Sequence, residues 1–265
     1  MAPSRFKRSR RPGSGRKTRK NRAPAKKVSK AVKSYVKRAI HSNIENKLWN
    51  RFAASETIST AAASNPEYIN LVPYPSQSTT STQYTRIGNK IRVMKAYIKG
   101  FVNLKPYNSI TNPYVGPVYV KMWLCRYKEL NCADIALTSI STNFFEGTAG
   151  STSFQGNMLD MSLTNNKDDW IIYKTKTFEL GGTSYVPGGL STQPLIAADN
   201  SRYTKPFYFS FGKHLRKQLQ FDVNGNPPTN TNLFLVTQVV YANGSAAALE
   251  PAQYHYTIRA EFEDA

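Results

Sequence analysis

Between Lys90 and Leu104 the sequence KIRVMKAYIKGFVNL sets Met94, Ala96, Ile98, Gly100, Val102 and Leu104 against Lys95, Tyr97, Lys99 and Phe101. Successive side chains of an extended strand point to opposite faces, so this period of two demands a strand with one buried face and excludes a helix. Residues 118–128 repeat it, with Val118, Val120, Met122 and Leu124 opposed to Tyr119, Lys121, Trp123 and Cys125. Further strand candidates are 51–59, 170–180, 206–212, 218–223, 233–242 and 254–262, separated by loops rich in Gly, Ser and Asn. Sixteen Tyr and thirteen Phe, with abundant Thr, Val and Ile, suit pleated, half-buried surfaces. The fold class expected is all-β: a single eight-stranded antiparallel jelly-roll β-sandwich over residues 50–265, with a basic, partly helical N-terminal arm. Residues 138–166 lack a strand pattern and are expected to form a long loop with room for a short helix.

The charge is as segregated as the hydropathy. Residues 1–38 hold sixteen Lys and Arg and no Asp or Glu. Of the net +20, this arm carries +16; the remaining 227 residues, with 20 basic and 16 acidic side chains, carry +4. A polycation tethered to a nearly neutral domain calls for a polyanionic partner. Residues 1–25 contain Pro and Gly and almost nothing apolar, so they cannot bury a core and are expected to be disordered when unbound. Two dense blocks stand out: Arg5, Lys7, Arg8, Arg10 and Arg11, then Arg16, Lys17, Arg19, Lys20 and Arg22. Each suits a nuclear localisation signal or a nucleic-acid contact.

Residues 26–49 change character. Val28, Val32, Tyr35, Val36, Ala39, Ile40, Ile44 and Leu48 recur at helical spacing, while Lys26, Lys27, Lys30, Lys33, Lys37 and Arg38 supply further cations for phosphate. This spacing predicts a basic amphipathic helix. Three uses are open to it: lying on the inner wall of a shell, lying on a membrane surface, or packing on its own domain.

The second face of the clearest strands interleaves bases with aromatics: Lys95, Tyr97, Lys99, Tyr119, Lys121 and Trp123. Aromatic rings stack unpaired bases while cations hold phosphates, which makes Lys95, Tyr97, Lys99, Lys121 and Trp123 candidate inner-face contacts. The competing reading is that this face packs against another sheet, the arm helix or a neighbouring subunit.

Catalytic and cofactor signals are missing. The chain has no G-x-S-x-G, H-E-x-x-H, P-loop or G-x-G-x-x-G sequence. Gly181-Gly182 and Gly188-Gly189 read as turns, as does Asp168-Asp169, and Asn243-Gly244-Ser245 is more simply a turn than a glycosylation site. Cys125 and Cys132 are not spaced for a metal, and His41, His214 and His255 lie far apart, so no zinc site, no other cofactor and two reduced, inert thiols are expected. There is no transmembrane run and no apolar core of a secretory signal, which leaves the cytosol or nucleus as the default. No zinc finger, RNP motif or leucine zipper reads bases, so the binding expected is electrostatic and indifferent to sequence.

Residues 85–130 read TRIGNKIRVMKAYIKGFVNLKPYNSITNPYVGPVYVKMWLCRYKEL. Arg86 and Gly88 lead into a strand with Lys95, Tyr97 and Gly100; a polar loop and an apolar strand ending in basic residues follow. Trp170 runs through a strand into Gly181-Gly182, Asn230-Thr231-Asn232 precedes an apolar strand, and the chain ends on an acidic one. This order, over about 180 residues behind a basic arm, resembles the coat proteins of geminiviruses, circoviruses and related small circular single-stranded DNA viruses. The resemblance implies a non-enzymatic capsid subunit that self-assembles into an icosahedral virion around single-stranded DNA. It also implies that the arm engages a nuclear import receptor in the host nucleus, and that no small-molecule substrate is involved. Geminivirus coat proteins usually carry a Cys/His cluster near the arm, and this chain has none, so a simple sixty-subunit (T=1) shell is the form implied. Sixty arms bring about 960 positive charges against one per nucleotide, and the coding sequence alone needs about 800 nucleotides, so the scales agree. Two other readings stand: the capsid of a satellite-type single-stranded RNA virus, since phosphate contacts do not distinguish the sugars, and a non-viral lectin-like module with a basic targeting tail.

Overall fold

The computed structural model describes residues 29–43, 46–58, 67–80, 82–105, 116–128, 143–147, 150–181, 203–222, 227–243 and 250–264. The chain divides into two units, Met1–Asn43 and Ile44–Ala265.

In the first unit a helix, α1, spans Lys30–Asn43. Ser29 sets its start: its hydroxyl accepts the amide of Val32 at 3.2 Å and its carbonyl accepts that of Lys33 at 3.1 Å, an N-cap arrangement. The helix expected over 26–49 is therefore shorter at both ends. His41, Ser42 and Asn43 propagate a helix poorly. Leu48 and Trp49 belong instead to the first strand, where Trp49 is buried with its ring 5.2 Å from that of Tyr74. Burial in the sandwich outweighs a weak helical preference there.

The second unit is an antiparallel β-sandwich. Its strands are β1 (Lys47–Ile58), β2 (Glu67–Asn70), β3 (Lys90–Leu104), β4 (Val118–Tyr127), β5 (Phe145–Gly147), β6 (Gly150–Thr152), β7 (Trp170–Leu180), β8 (Thr204–Ser210), β9 (Gln218–Gln220), β10 (Phe234–Tyr241) and β11 (Ala252–Asp264). One sheet has the order β1-β11-β3-β8, with β9 continuing the edge beside the start of β3. The other has the order β2-β10-β4-β7, and β5 pairs with β6 in a separate ribbon. Setting aside β9 and the ribbon, the pairs β1·β11, β2·β10, β3·β8 and β4·β7 join the first long strand to the last, the second to the second-last, and so inward. This is one long antiparallel hairpin, rolled so that β11 also meets β3 and β10 also meets β4.

Eleven strands among the described residues replace the eight expected. Of the additions, β2 has a single buried residue, Ile69, and so no alternation to read. The β5–β6 ribbon and a short helix, α2 (Leu159–Ser162), lie in the stretch expected to be a loop.

The core between the sheets takes the inward positions of both: Ile98 and Val102 of β3, Val118, Val120, Met122 and Leu124 of β4, Leu235 and Val239 of β10, Tyr254 to Phe262 at alternate positions of β11. Met94, expected among them, is exposed. A register shift pairs Lys95 with Glu261 but Val93 with Phe262, so Met94 is the extra residue of a β-bulge. The two outer faces differ. On the four-stranded sheet, residues 143–165 lay Phe144, Phe145 and Phe154 over Trp123, Cys125, Tyr127, Phe234 and Val236, forming a second core. Both faces of β10 are thereby buried, and all eight of its residues are buried, Thr237 and Gln238 included. Among the described residues the outer face of the five-stranded sheet has no such cover: β11 alternates buried with half-buried positions along its length.

Candidate nucleic-acid interface

The cations expected to hold phosphate fall into three groups. Arg5, Lys7, Arg8, Arg10, Arg11, Arg16, Lys17, Arg19, Lys20, Arg22, Lys26 and Lys27 lie outside the described residues. Lys30 and Lys33 lie on the first turn of α1, both exposed, and Lys37 and Arg38 follow on the same helix. Val32, Tyr35 and Val36 of its apolar stripe are exposed as well.

The third group, Lys95, Tyr97, Lys99, Lys121 and Trp123, does not share one face. Lys95, Tyr97 and Lys99 are on the outer side of the five-stranded sheet, and Lys121 and Trp123 are on the outer side of the other. The last two are a correction. Trp123 is fully buried, its ring meeting those of Phe144, Phe145 and Phe154 edge-on at centroid separations of 5.3–6.0 Å. Lys121 donates to the carbonyl of Met161 at 2.6 Å, with its ammonium 5.0 Å from the centre of the Trp123 ring. Burial lowers its pKa, and the Asp160 carboxylate opposes that shift. These two side chains hold the 143–165 cover in place, so no base can reach the indole.

Asp160 is the polar anchor of that cover. Its Oδ2 accepts the amides of Gln155 and Gly156, each at 2.8 Å, and the side-chain amide of Gln238 on β10. Burial raises its pKa, and these hydrogen bonds pull it back down. Cys125 lies in the same core with its thiol pKa raised by burial, an inert arrangement; Cys132 is outside the described residues. Asp168-Asp169 forms a turn as expected, and Gly181 has φ +79°. No group of three or more His, Cys, Asp or Glu among the described residues could hold a metal ion. No helix among them is long and apolar enough to cross a membrane.

The register places the exposed face of the five-stranded sheet in rows running across β1, β11, β3 and β8. One row is Asn50, Arg259, Tyr97 and Ser210; the next is Phe52, Thr257, Lys99 and Tyr208; beyond it come His255, Phe101 and Pro206. Phe52 is 81% exposed, Phe101 52% and Tyr208 50%. The Tyr97 and Tyr208 rings lie 5.8 Å apart. Lys95 and Arg259 share Glu261, at 3.4 and 3.8 Å, whereas Lys99 makes no ion pair among the described residues. A shallow groove of about 540 Å³ crosses this face, walled by Phe52, Lys99, Phe101, Tyr208, His255 and Thr257. Its floor includes Gly100, where a Cβ would stand 2.1 Å from the carbonyl oxygen of His255. Only glycine lets β3 and β11 come that close.

Phe52 and Tyr208 escaped the sequence reading. The signal for Tyr208 was available: it has the opposite parity to Phe207 and Phe209, both buried, along β8. Phe52 lies on the strand whose pattern was weakest.

No protein-family model matches this chain, and no curated protein matches it. Among solved structures it is similar to a chain of Desmodium yellow mottle tymovirus, at 12% identity and a TM-score of 0.33, over 83% of this chain and 85% of that one.

Proposed function

We propose that this chain is the subunit of a closed viral shell: a jelly-roll domain that builds the wall, and a basic arm that gathers a single-stranded genome inside it. The observation that carries the reading is the strand order. Numbering the eight strands of the two sheets along the chain, β9 set aside, gives 1-8-3-6 in one and 2-7-4-5 in the other, an order that supports a jelly-roll reading, an architecture used by viral capsids. Lectins and cupins share it, so fold alone does not choose among them. What favours the shell is the sixteen-cation arm joined to it. Phosphate neutralisation by such an arm releases counterions, and its strength falls steeply with salt.

The role proposed is structural rather than catalytic. DNA is the cargo favoured by the sequence resemblance, with RNA as the alternative; the shell is proposed as sixty subunits in the virion, with the blocks at 5–11 and 16–22 serving import into the host nucleus.

Electron microscopy of the expressed full chain, with nuclease protection and sequencing of the enclosed strand, tests this. Uniform closed shells holding protected nucleic acid are expected. Deleting residues 1–25 removes ten of the sixteen arm cations. With about 0.7 log units lost per phosphate contact on single strands, the salt slope should drop by up to about 7 while the sandwich stays folded. A chain that remains monomeric at every salt concentration, or a truncation that packages with an unchanged slope, refutes the proposal.

A further inference from the structure

We infer that the exposed groove of the five-stranded sheet is a second nucleic-acid site, which stacks unpaired bases on Phe101, Tyr208 and Phe52 around the ammonium of Lys99. It deepens the shell reading and rests on it, because it gives the folded domain its own hold on the cargo.

The face is built for a partner. Three large rings stand at least half exposed on one sheet surface, an arrangement that soluble proteins keep for recognition. On the other outer face the aromatic residues are sealed by Phe144, Phe145 and Phe154, so the fold does cover rings where they need only packing. The rings are spaced for stacking. Phe101 is two residues from Lys99 on β3, Tyr208 is directly across from Lys99 on β8, and Phe52 lies in the same row two strands away. By that register Phe101 and Tyr208 are diagonal neighbours about 8 Å apart, close enough to flank one base, while Phe52, about 12–14 Å from them, can stack a separate base.

The charge selects the occupant. Around the groove Lys95, Lys99 and Arg259 outnumber Glu261 by two, and Lys99 at the centre of the rings has no carboxylate within ion-pair reach among the described residues. A cation among exposed rings suits a phosphate between two stacked bases. His255 Nδ1 accepts the amide of Ser55 at 3.1 Å, which leaves Nε2 as a polar atom of the groove wall. The strand that the basic segment leads into, β1, is an edge strand of this same sheet and contributes Phe52.

Base stacking is insensitive to salt and phosphate pairing is not, so the two sites separate experimentally. The full chain is titrated, by fluorescence anisotropy across a salt series, with oligothymidylate and with an abasic oligomer of the same phosphate count. The thymidine strand should bind about tenfold tighter or more at every salt concentration. In the double variant Phe101→Leu, Tyr208→Leu that ratio should fall towards one with the salt slope unchanged, and Tyr208→Phe should keep it. Photocrosslinks from 5-iodouracil strands should map to Phe52, Phe101 or Tyr208. A uridine oligomer run alongside identifies the sugar by whichever of the two binds more tightly. A double variant that keeps the parent ratio overturns the inference, as does one that changes the oligomeric state alone, which would make the face a contact between copies. If both strands bind the parent equally, the groove falls and the arm survives; if neither binds, the packaging reading falls with it.

Discussion

Asp264→Asn should destabilise the sandwich by about 3 kcal/mol, several times more than Lys47→Met, although both remove the same ion pair. Lys47 begins β1 with its side chain only 3% exposed, and its Nζ donates to Asp264 Oδ2 at 2.6 Å and to the carbonyl of Thr85 at 3.0 Å. Asp264 is 24% exposed and also accepts the amide of Ile87 at 3.3 Å on Oδ1. At 2.6 Å and an effective dielectric of about 20, the gross attraction is about 6 kcal/mol. Water at Asp264 and relaxation of Lys47 reduce it, and about half survives as the net loss when the anion is neutralised, because a buried ammonium is left with one carbonyl. Removing the cation strands only a carboxylate that already reaches solvent, so Lys47→Met should cost about 1 kcal/mol. The double variant should be more stable than Asp264→Asn alone.

At about 2–4 °C per kcal/mol for a domain of this size, the Asp264→Asn loss is about 6–12 °C in Tm. Calorimetry measures it, and urea unfolding followed by Trp fluorescence gives the free energies for a double-mutant cycle. Trp49, two residues from Lys47 and packed on Tyr74, reports the β1 end directly. Equal losses from the two single variants, or a double variant that is their simple sum, would refute the claim that a stranded buried cation sets the cost.

Arg86→Ala should cost about 3–5 kcal/mol, since the buried guanidinium donates to the carbonyls of Pro75 and Gly88 at 3.2 and 2.6 Å and covers the Phe221 ring at 4.3 Å; Arg86→Lys should recover only part of it in urea unfolding. Burial raises the Asp160 pKa above its unfolded value, so the folded state binds the proton more tightly and stability falls as pH rises from about 4 through the folded value. Asp160→Asn should flatten that part of the pH–stability profile, and a variant with the parent's slope would exclude Asp160 as its source.

Two strands were legible to the residue: Lys90–Leu104 and Trp170–Leu180 match the structure at both ends. Their pairing was not, because periodicity says which residues share a face and nothing about which strand lies alongside. Thus Lys99 and Phe101 could be placed on one face, but their neighbours Tyr208 and Phe52 could not. Trp123 was misread for a related reason. Its alternation marks it as outward, which it is, but the rings that cover it come from residues 144–154 in a stretch with no period at all. Arg86 sits in a polar turn sequence, TRIGN, where nothing local distinguishes a buried guanidinium from a solvated one. Asn232 was noticed only as polar spacing; its side chain bonds both the amide and the carbonyl of Tyr127, at 2.9 and 3.0 Å, and so closes the ladder where β10 begins.

If the chain builds a shell as proposed, the unequal treatment of its two outer faces constrains how. On the four-stranded sheet the chain uses its own residues 143–165 to bury Trp123, Tyr127 and Phe234, and holds them with Lys121 and Asp160. Among the described residues the aromatic cluster on that side is buried by the chain itself. The five-stranded sheet leaves Phe52, Phe101 and Tyr208 to water in the isolated chain, and burying each ring recovers about 1.5–3 kcal/mol at full burial. If the chain assembles as proposed, a ring cluster left open at that cost suits a partner in the assembled state. A second copy docked face to face would bring the same net positive surface against this one, and like charges repel. A nucleic-acid strand brings phosphates instead. If it occupies the groove, the five-stranded sheet faces the lumen and the sealed sheet faces out.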